Sequence, residues 1–191
     1  TGTQYTWGVP SYGNASMSGG DSQTTASANI FGTVLNPTNT TYNVTYSVTP
    51  STGLCPGTAF NVVVAIDPKP VVTPMSTTIC NGVFTVTPSN GANGVVPVNT
   101  FYTWGIPTSS STSLTGGVAG TGTTNITGTL TNNTNVAQTA VYLVTPSFGQ
   151  CSGLTQSGNA FTVTVYVNPT PVISAINRTI CTGTPFVITP T

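Results

Sequence analysis

The sequence predicts an all-β chain built of tandem antiparallel β-sandwiches. Three observations lead to this fold class. Apolar and polar residues alternate along short segments, these segments are bounded by Gly, Pro, Asn and Ser, and one sequence unit returns after about 100 residues. The 3.6-residue apolar period of a helix is missing, and strong helix formers are scarce. About seven short strands in a unit of this size are typical of a small sandwich.

The strand signals are clearest in four segments. Tyr5 and Trp7 share one face of the first predicted strand, and Tyr102 and Trp104 repeat that arrangement in the second copy. Two further segments place their apolar side chains on one face, at Tyr42, Val44, Tyr46 and Val48 and at Phe161, Val163, Val165 and Val167. The residues between them are mostly Thr, Ser and Asn. Each segment is therefore predicted to be a strand with one buried face.

The repeat sets the domain organisation. Matching segments recur in the same order, among them 5–10 (YTWGVP) and 102–107 (YTWGIP), 60–70 (FNVVVAIDPKP) and 161–171 (FTVTVYVNPTP), and 78–80 and 179–181 (both TIC). With the Pro-rich joints as boundaries, residues 1–68 are predicted to be the later part of one domain, 69–169 a complete domain, and 170–191 the opening of a third. We interpret the chain as a stretch of a longer tandem array. The alternative is a protein whose first and last pieces complete each other between molecules.

Charged side chains are almost absent. They make up 2% of the 191 residues, with a net charge of zero and no His. The charged residues are Asp21, Asp67, Lys69 and Arg178. A basic stripe for nucleic acid and a polybasic membrane patch are therefore excluded, and so is most acid–base catalysis. Zinc is disfavoured because neither His nor a C-x-x-C spacing occurs. We expect a protein that is not an enzyme and has no catalytic, cofactor or metal site.

Trp7 and Trp104 stand at equivalent positions of the two copies, each in a Tyr-Thr-Trp-Gly context. A Trp on an early strand of a sandwich usually buries a large area between the sheets. We therefore predict that both are core anchors. The other interpretation is an exposed platform that stacks on sugar rings.

The four cysteines recur in register, two per repeat. A low-charge secreted sandwich is a natural place for a disulfide, and we predict that Cys80 pairs with Cys151 inside the complete domain. Cys55 and Cys181 would then find partners outside this stretch. Two alternatives stay open, a disulfide that staples neighbouring domains and free thiols.

Sequons for N-linked glycans are frequent. They occur at Asn14, Asn39, Asn43, Asn125, Asn132 and Asn177. In a chain so rich in Asn and Thr, several arise by chance. Asn43 projects from the polar face of its predicted strand, which leaves room for a glycan there.

The unit resembles the PKD-like, immunoglobulin-type repeats of giant bacterial cell-surface adhesins. The segments that carry the likeness are TICNG at 78–82, FTVTP at 84–88, YTWG at 102–105, VTP at 144–146 and FTVTVYVNPTP at 161–171. They are similar to the repeats of SprB-type gliding adhesins, which the type IX secretion system exports. One departure is clear: Gly-Val-Pro or Gly-Ile-Pro follows the Trp, where the PKD unit has an acidic W-D-F-G-D-G turn. A calcium role for that turn is not expected, since hard cations prefer carboxylates.

The resemblance implies a rod-like array of immunoglobulin-like (PKD-like) sandwiches outside the cell, at the bacterial surface. It implies the stalk of a long adhesin filament that acts in surface adhesion and gliding motility. The implied partners are adjacent repeats of the same chain, with other filaments or surface polysaccharide as further candidates, and no nucleic acid or membrane insertion. Two alternatives remain: a self-assembling extracellular fibre or surface-layer subunit completed by strand addition, and a carbohydrate-binding module of a secreted enzyme.

Overall fold

The computed structural model describes residues 2–151 and 154–189. Every regular element in that part of the chain is a β-strand, which confirms the predicted all-β class. The strands form a first unit over residues 4–66 and a second unit over residues 71–167. Among the described residues there is no helix of the length and hydrophobicity that crossing a membrane would need.

The first unit is built around one long central strand. Its strands are β1 (Gln4–Trp7), β2 (Ser11–Tyr12), β3 (Ser18–Gly19), β4 (Gln23–Ser27), β5 (Val34–Leu35), β6 (Tyr42–Thr52), β7 (Cys55–Pro56) and β8 (Phe60–Ile66). The main sheet is antiparallel with the order β8-β6-β1-β4, and β2 and β7 also pair with β6. β3 and β5 form a separate pair. The long β6 is the centre because its inner face carries the buried Val44, Tyr46 and Val48.

The second unit repeats this plan and adds a facing sheet. Its strands are β9 (Val71–Val72), β10 (Met75–Ile79), β11 (Gly82–Val86), β12 (Gly94–Val95), β13 (Thr100–Trp104), β14 (Thr108–Ser109), β15 (Leu114–Gly116), β16 (Gly120–Thr123), β17 (Ile126–Asn132), β18 (Gln138–Cys151), β19 (Leu154–Ser157) and β20 (Phe161–Val167). The main sheet has the order β10-β20-β18-β13-β16, in which β10 runs parallel to β20. The facing sheet has the order β11-β17-β15. The two sheets together make the predicted sandwich.

The core of the second unit lies between its two sheets. The inner face of β20 is fully apolar and buried, at Phe161, Val163, Val165 and Val167. From the facing sheet, the ring of Phe84 packs on Tyr142 with ring centroids 5.2 Å apart. Burying one such side chain stabilises a fold by roughly 1.5–3 kcal/mol. The period-two pattern of β20 therefore decides which face of the strand turns inward.

The two units are joined end to end through a short link. Pro68 and Pro70 in this link are buried, and Asn39 of the first unit lines one pocket together with Pro97 and Asn99 of the second. We call the end of a unit at which its first strand begins the leading end, and the end at which its last strand finishes the trailing end. The trailing end of the first unit therefore contacts the leading end of the second. A buried proline leaves no amide donor unpaired, which suits such a link.

Residues 170–189 follow the second unit without forming strands. Pro169 is half-buried and Pro171 is exposed, in contrast to Pro68 and Pro70 of the first link. The large apolar side chains of this segment are all exposed, at Val172, Ile173, Ile176, Ile180, Phe186, Val187 and Ile188. The segment has the sequence pattern of β9, β10 and β11 without their pairing. Its assignment as the opening of a third domain stays a prediction.

Candidate functional site

The candidate functional surfaces are the ends of the two units and the outer edge of β8. Within the described ranges, no cluster of three or more His, Cys, Asp or Glu side chains could hold a metal ion. At the link, the hydroxyl Oγ1 of Thr41 donates to Oδ1 of Asp67 at 2.5 Å, and Lys69 is exposed. What these surfaces offer is backbone hydrogen-bonding capacity and apolar side chains.

The two Trp side chains occupy equivalent buried positions. The indole Nε1 of Trp7 donates to the carbonyl of Asp21 at 3.1 Å, and that of Trp104 donates to the carbonyl of Val118 at 3.2 Å. A Cβ added at Gly120 would lie 2.3 Å from the ring of Trp104, so this ring lies directly against the neighbouring backbone. Both indoles are buried. Neither offers the open face that stacking on a sugar requires.

Near the trailing end of each unit lies a buried Asn, Asn36 or Asn132, whose structural role the sequence did not predict. Nδ2 of Asn132 donates to the carbonyls of Val136 and Val167 at 2.8 and 2.9 Å. Nδ2 of Asn36 donates to the carbonyls of Thr40 and Ile66 at 2.8 Å each. Each Asn thus ties its own loop to the last residue of the final strand. Both residues begin an Asn-x-Thr pattern that follows a strand, and the recurrence of this pattern in the two copies could have indicated their shared structural role.

The buried position of Asn132 also corrects its interpretation as a glycan acceptor. A glycan would have to replace a hydrogen on Nδ2, and both hydrogens of that atom are used inside the fold. Asn43, by contrast, is exposed on the outer face of β6. A glycan at Asn43 therefore remains compatible with the fold, whereas one at Asn132 is not.

The predicted pairing of Cys80 with Cys151 inside the second unit is wrong. Cys80 follows Ile79 at the trailing end, where Ile79 lies opposite Val167, and Val167 lies opposite Gln138. Cys151 is at the other end of β18, about 40 Å from Gln138 at roughly 3.3 Å per residue. A disulfide requires Cα atoms within about 7 Å. The repeat register is correct, but it places the two cysteines at opposite ends of the unit.

Three of the four cysteines are exposed thiols. Cys55, Cys80 and Cys181 are free in this structure. The side chain of Cys151 lies outside the described part of the chain. The alternatives of an interdomain disulfide and of free thiols therefore stay predictions.

The outer edge of β8 has no partner strand among the described residues. In the second unit the corresponding edge of β20 carries β10, with Ile79 opposite Val167. Phe60 at the start of β8 is 42% exposed, whereas its counterpart Phe161 is 3% exposed. The first unit therefore presents a strand edge and an apolar face that the second unit buries.

An apolar groove of about 280 Å³ lies beside this edge. It is lined by Ile30, Phe31, Gly32, Val34, Tyr46, Val62, Val64 and Ile66. In the second unit the same place is filled by Phe84, which packs on Tyr142. A Cβ added at Gly128 would lie only 2.9 Å from the Phe84 ring. Tyr142 and Gly128 are the repeat counterparts of Tyr46 and Gly32, so the groove has the shape left by a missing Phe84.

Three tyrosine hydroxyls in the described cores are buried without a hydrogen-bond partner: Tyr46, Tyr102 and Tyr142. Burial raises the pKa of Tyr102 and of Tyr142 to about 12. For Tyr46, burial is again the largest cause of a raised pKa, followed by the charges of Tyr12 and Asp21. These phenols are therefore neutral over the whole physiological range and act as core side chains.

A family model described as PKD-like domain matches residues 1–70 and residues 77–171. Among curated proteins, none matches this sequence. The two matched stretches correspond to the first and second units.

Proposed function

The chain belongs to the PKD-like domain family, and from this premise we propose that it is a stalk segment of a long, repetitive adhesin at the bacterial cell surface. PKD-like domains are commonly extracellular and, being of immunoglobulin type, typically non-catalytic. The adhesin would act in attachment and gliding, and export by the type IX system is part of the proposal. The resemblance described for the sequence supports these finer points.

The packed link is the observation that carries this proposal. Pro68 and Pro70 are buried between two consecutive copies of the same unit. Two prolines separated by a single residue also restrict the backbone of the link. A short buried link holds neighbouring units in one arrangement, unlike a flexible Gly- and Ser-rich tether. Copies joined in this way form a semi-rigid rod, which is the shape a stalk needs.

The strand arrangement of the second unit suits a load along that rod. The chain passes through the two-residue β9 into β10 and leaves through β20, and β10 and β20 are parallel neighbours with five paired residues. A pull at both ends of the unit therefore slides β10 and β20 past each other lengthwise. The evenly spaced hydrogen bonds of a parallel pair then share the load instead of breaking one by one.

Single-molecule force measurement on the chain, held at its two ends, tests the mechanical part of the proposal. The amide of Asn168 donates to Ile79 O at 2.8 Å. Thr77 lies two residues earlier on β10, so its backbone amide and carbonyl also point toward β20. Thr77→Pro removes a hydrogen bond from the loaded pair. The control Thr85→Pro changes the same residue type in the facing sheet. We expect a larger fall in unfolding force for Thr77→Pro, and equal falls in both variants would contradict the shear geometry.

Antibody fragments raised against the second unit test its location and role. We expect them to label intact cells of the source organism and to slow attachment and gliding on glass. Fragments of unrelated specificity serve as the control. Labelling only after cell lysis would contradict a surface stalk, and surface labelling without any effect on attachment would contradict the adhesin role.

The other two candidate functions differ in their support. A carbohydrate-binding module that uses Trp is disfavoured, because Trp7 and Trp104 are buried. Assembly by strand addition is favoured by the edge of β8, which has no partner strand in the described part of the chain.

A further inference from the structure

The link between the two units contains the only Asp-Pro peptide bond of the chain, Asp67–Pro68. The other acidic residue, Asp21, precedes a serine, and the equivalent place after the second unit is Asn168–Pro169. An Asp-Pro bond differs chemically from other peptide bonds in two ways. The side-chain carboxylate is held within reach of the carbonyl carbon of its own residue, which favours intramolecular attack. The proline nitrogen is released as a secondary amine, which takes up a proton readily.

The first unit holds the carboxylate of Asp67 in place. Asp67 directly follows Ile66, the last residue of β8, and is half-buried. The hydroxyl Oγ1 of Thr41 donates to its Oδ1 at 2.5 Å. The titratable side chains on the elements that flank it are Tyr42, which lies opposite Ile66, and Lys69, two residues further on and exposed. Asp67 is therefore the one acidic group that the sequence of the link supplies.

We propose that Asp67–Pro68 is an acid-sensitive self-cleavage site that divides the chain between its two units. A carboxylate oxygen of Asp67 attacks the carbonyl carbon of the same residue and forms a cyclic anhydride, while the bond from that carbon to the Pro68 nitrogen breaks. The nitrogen takes up a proton from the acidic solvent and leaves as an amine. One water molecule then opens the anhydride, which restores the side chain and leaves a new α-carboxyl group. The net reaction is hydrolysis of one peptide bond, and it does not depend on the stalk function.

The scarcity of charge lets the rest of the fold withstand the acid that this reaction needs. Acid unfolds proteins mainly by protonating carboxylates that are paired or hydrogen-bonded in the native state. This chain has two carboxyl side chains in all, at Asp21 and Asp67, and no His that would gain a charge. The two cores consist of apolar and aromatic side chains. We therefore expect both units to remain folded under conditions in which the link is cut.

Cleavage at this bond also favours separation of the units. Pro68 is fully buried in the intact link. On return to neutral pH, the neutral peptide group is replaced by an α-carboxylate on Asp67 and a charged amine on Pro68. Burial of such charges is costly unless they are well paired and hydrogen-bonded. Because each unit has a hydrophobic core of its own, the cut link should open, and acid would detach one unit from the next.

Intact-mass spectrometry of the whole chain after acid incubation tests the site. At about pH 3, near the range in which Asp side chains titrate, we expect two fragments, 1–67 and 68–191, and at neutral pH the uncut chain. Asp67→Asn keeps the shape of the side chain but removes the carboxylate, and should slow the cut by roughly tenfold or more. Asp67→Glu keeps the charge but lengthens the side chain, and should slow it as well. Asn168→Asp places the same dipeptide after the second unit and should add a second cut, after residue 168.

The outcomes decide both parts of the proposal. The two expected fragments, together with the added cut in Asn168→Asp, support the site. An uncut chain, a first cut at any other bond, or equal rates for the unaltered chain and Asp67→Asn overturn it. Loss of the circular dichroism of the strands before the cut overturns cleavage in the folded chain.

Size-exclusion chromatography of the cut chain at neutral pH tests the separation of the units. Each fragment contains one tryptophan, Trp7 or Trp104, so both can be followed by fluorescence. Separate elution of the two fragments supports the opening of the link. Elution as one complex overturns it, because the units would then be held together by packing alone.

Discussion

Replacing Asn132 by Ala should destabilise the second unit more than any other single polar substitution at its trailing end. Asn132 is buried, and its side chain joins three parts of the unit. Nδ2 donates to the carbonyls of Val136 and Val167, and Oδ1 accepts from both the amide and the hydroxyl of Thr134. In the Asn132→Ala variant all four hydrogen bonds are lost together.

The size of this loss of stability depends on which hydrogen-bond partners of the Asn132 side chain can bond to water in the variant. The contact to Val167 O is buried, whereas Thr134 is half-buried and Val136 is exposed, so both can hydrogen-bond to solvent. A buried carbonyl left without a donor costs about 1–3 kcal/mol, and each exposed hydrogen bond contributes about 0.5–1.5 kcal/mol. We therefore expect a loss of about 2–4 kcal/mol in the free energy of unfolding.

Urea unfolding followed by Trp104 fluorescence measures this loss. Asn133→Ala is the matched control, because Asn133 is exposed and its side chain makes one long hydrogen bond of 3.3 Å, from Nδ2 to Ser113 O. We expect the control to change stability by less than about 0.5 kcal/mol. A loss below about 1 kcal/mol for Asn132→Ala, or equal losses in both variants, would refute the assignment of Asn132 as the tie between loop and final strand.

Three further predictions concern the core and ion binding. Because the pKa of Tyr142 is raised from 10.0 to about 12 in the fold, the unfolded state loses this proton first, and stability should fall between pH 10 and 12. Tyr142→Phe should weaken that pH dependence and leave or raise the melting temperature at pH 7. A steeper loss of stability at alkaline pH in the variant would contradict this. Gly120→Ala should destabilise the second unit by about 1–3 kcal/mol, because the added Cβ would lie 2.3 Å from the Trp104 ring. Gly105→Ala is the control, since a Cβ there would have nothing within 4 Å, and equal melting temperatures for the two variants would contradict the close contact. Millimolar calcium should leave the melting temperature unchanged, since only a bound ion stabilises the fold by mass action, and a rise of several degrees in a thermal shift assay would contradict this.

The sequence was sufficient to predict the strands because their faces differ so strongly. Phe161, Val163 and Val165 alternate with polar or exposed neighbours, and a one-residue shift would expose all of them. The facing sheet was harder to predict: Gly128 carries no side chain, yet it marks the place where Phe84 packs. The structural role of Asn132 was not predicted, because a polar residue after a strand is usually a solvated turn residue, and only the fold shows that its amide is enclosed.

The position of a cysteine along a repeat does not give its position in space. Cys80 follows an early strand and Cys151 ends a late one, which suggested a disulfide that closes the unit. β10 is parallel to β20, however, so Cys80 lies at the trailing end, and β18 runs the other way and carries Cys151 to the leading end. The structure thus separates the pair that the repeat register had suggested.

Because Cys80 lies at the trailing end and Cys151 at the leading end, we predict disulfides at the links between units. In a tandem array, the trailing end of one unit, with its counterpart of Cys80, meets the leading end of the next, with its counterpart of Cys151. We therefore expect any disulfide in a longer array to join neighbouring units, which would reinforce the packed proline link under load. Mass spectrometry of non-reduced peptides from a purified array of three or more units checks this. Peptides that join counterparts of Cys80 and Cys151 from successive units are the expected product, with the reduced and alkylated array as the control. Fully alkylated cysteines in the non-reduced sample would instead identify free thiols, and the link would then depend on packing alone.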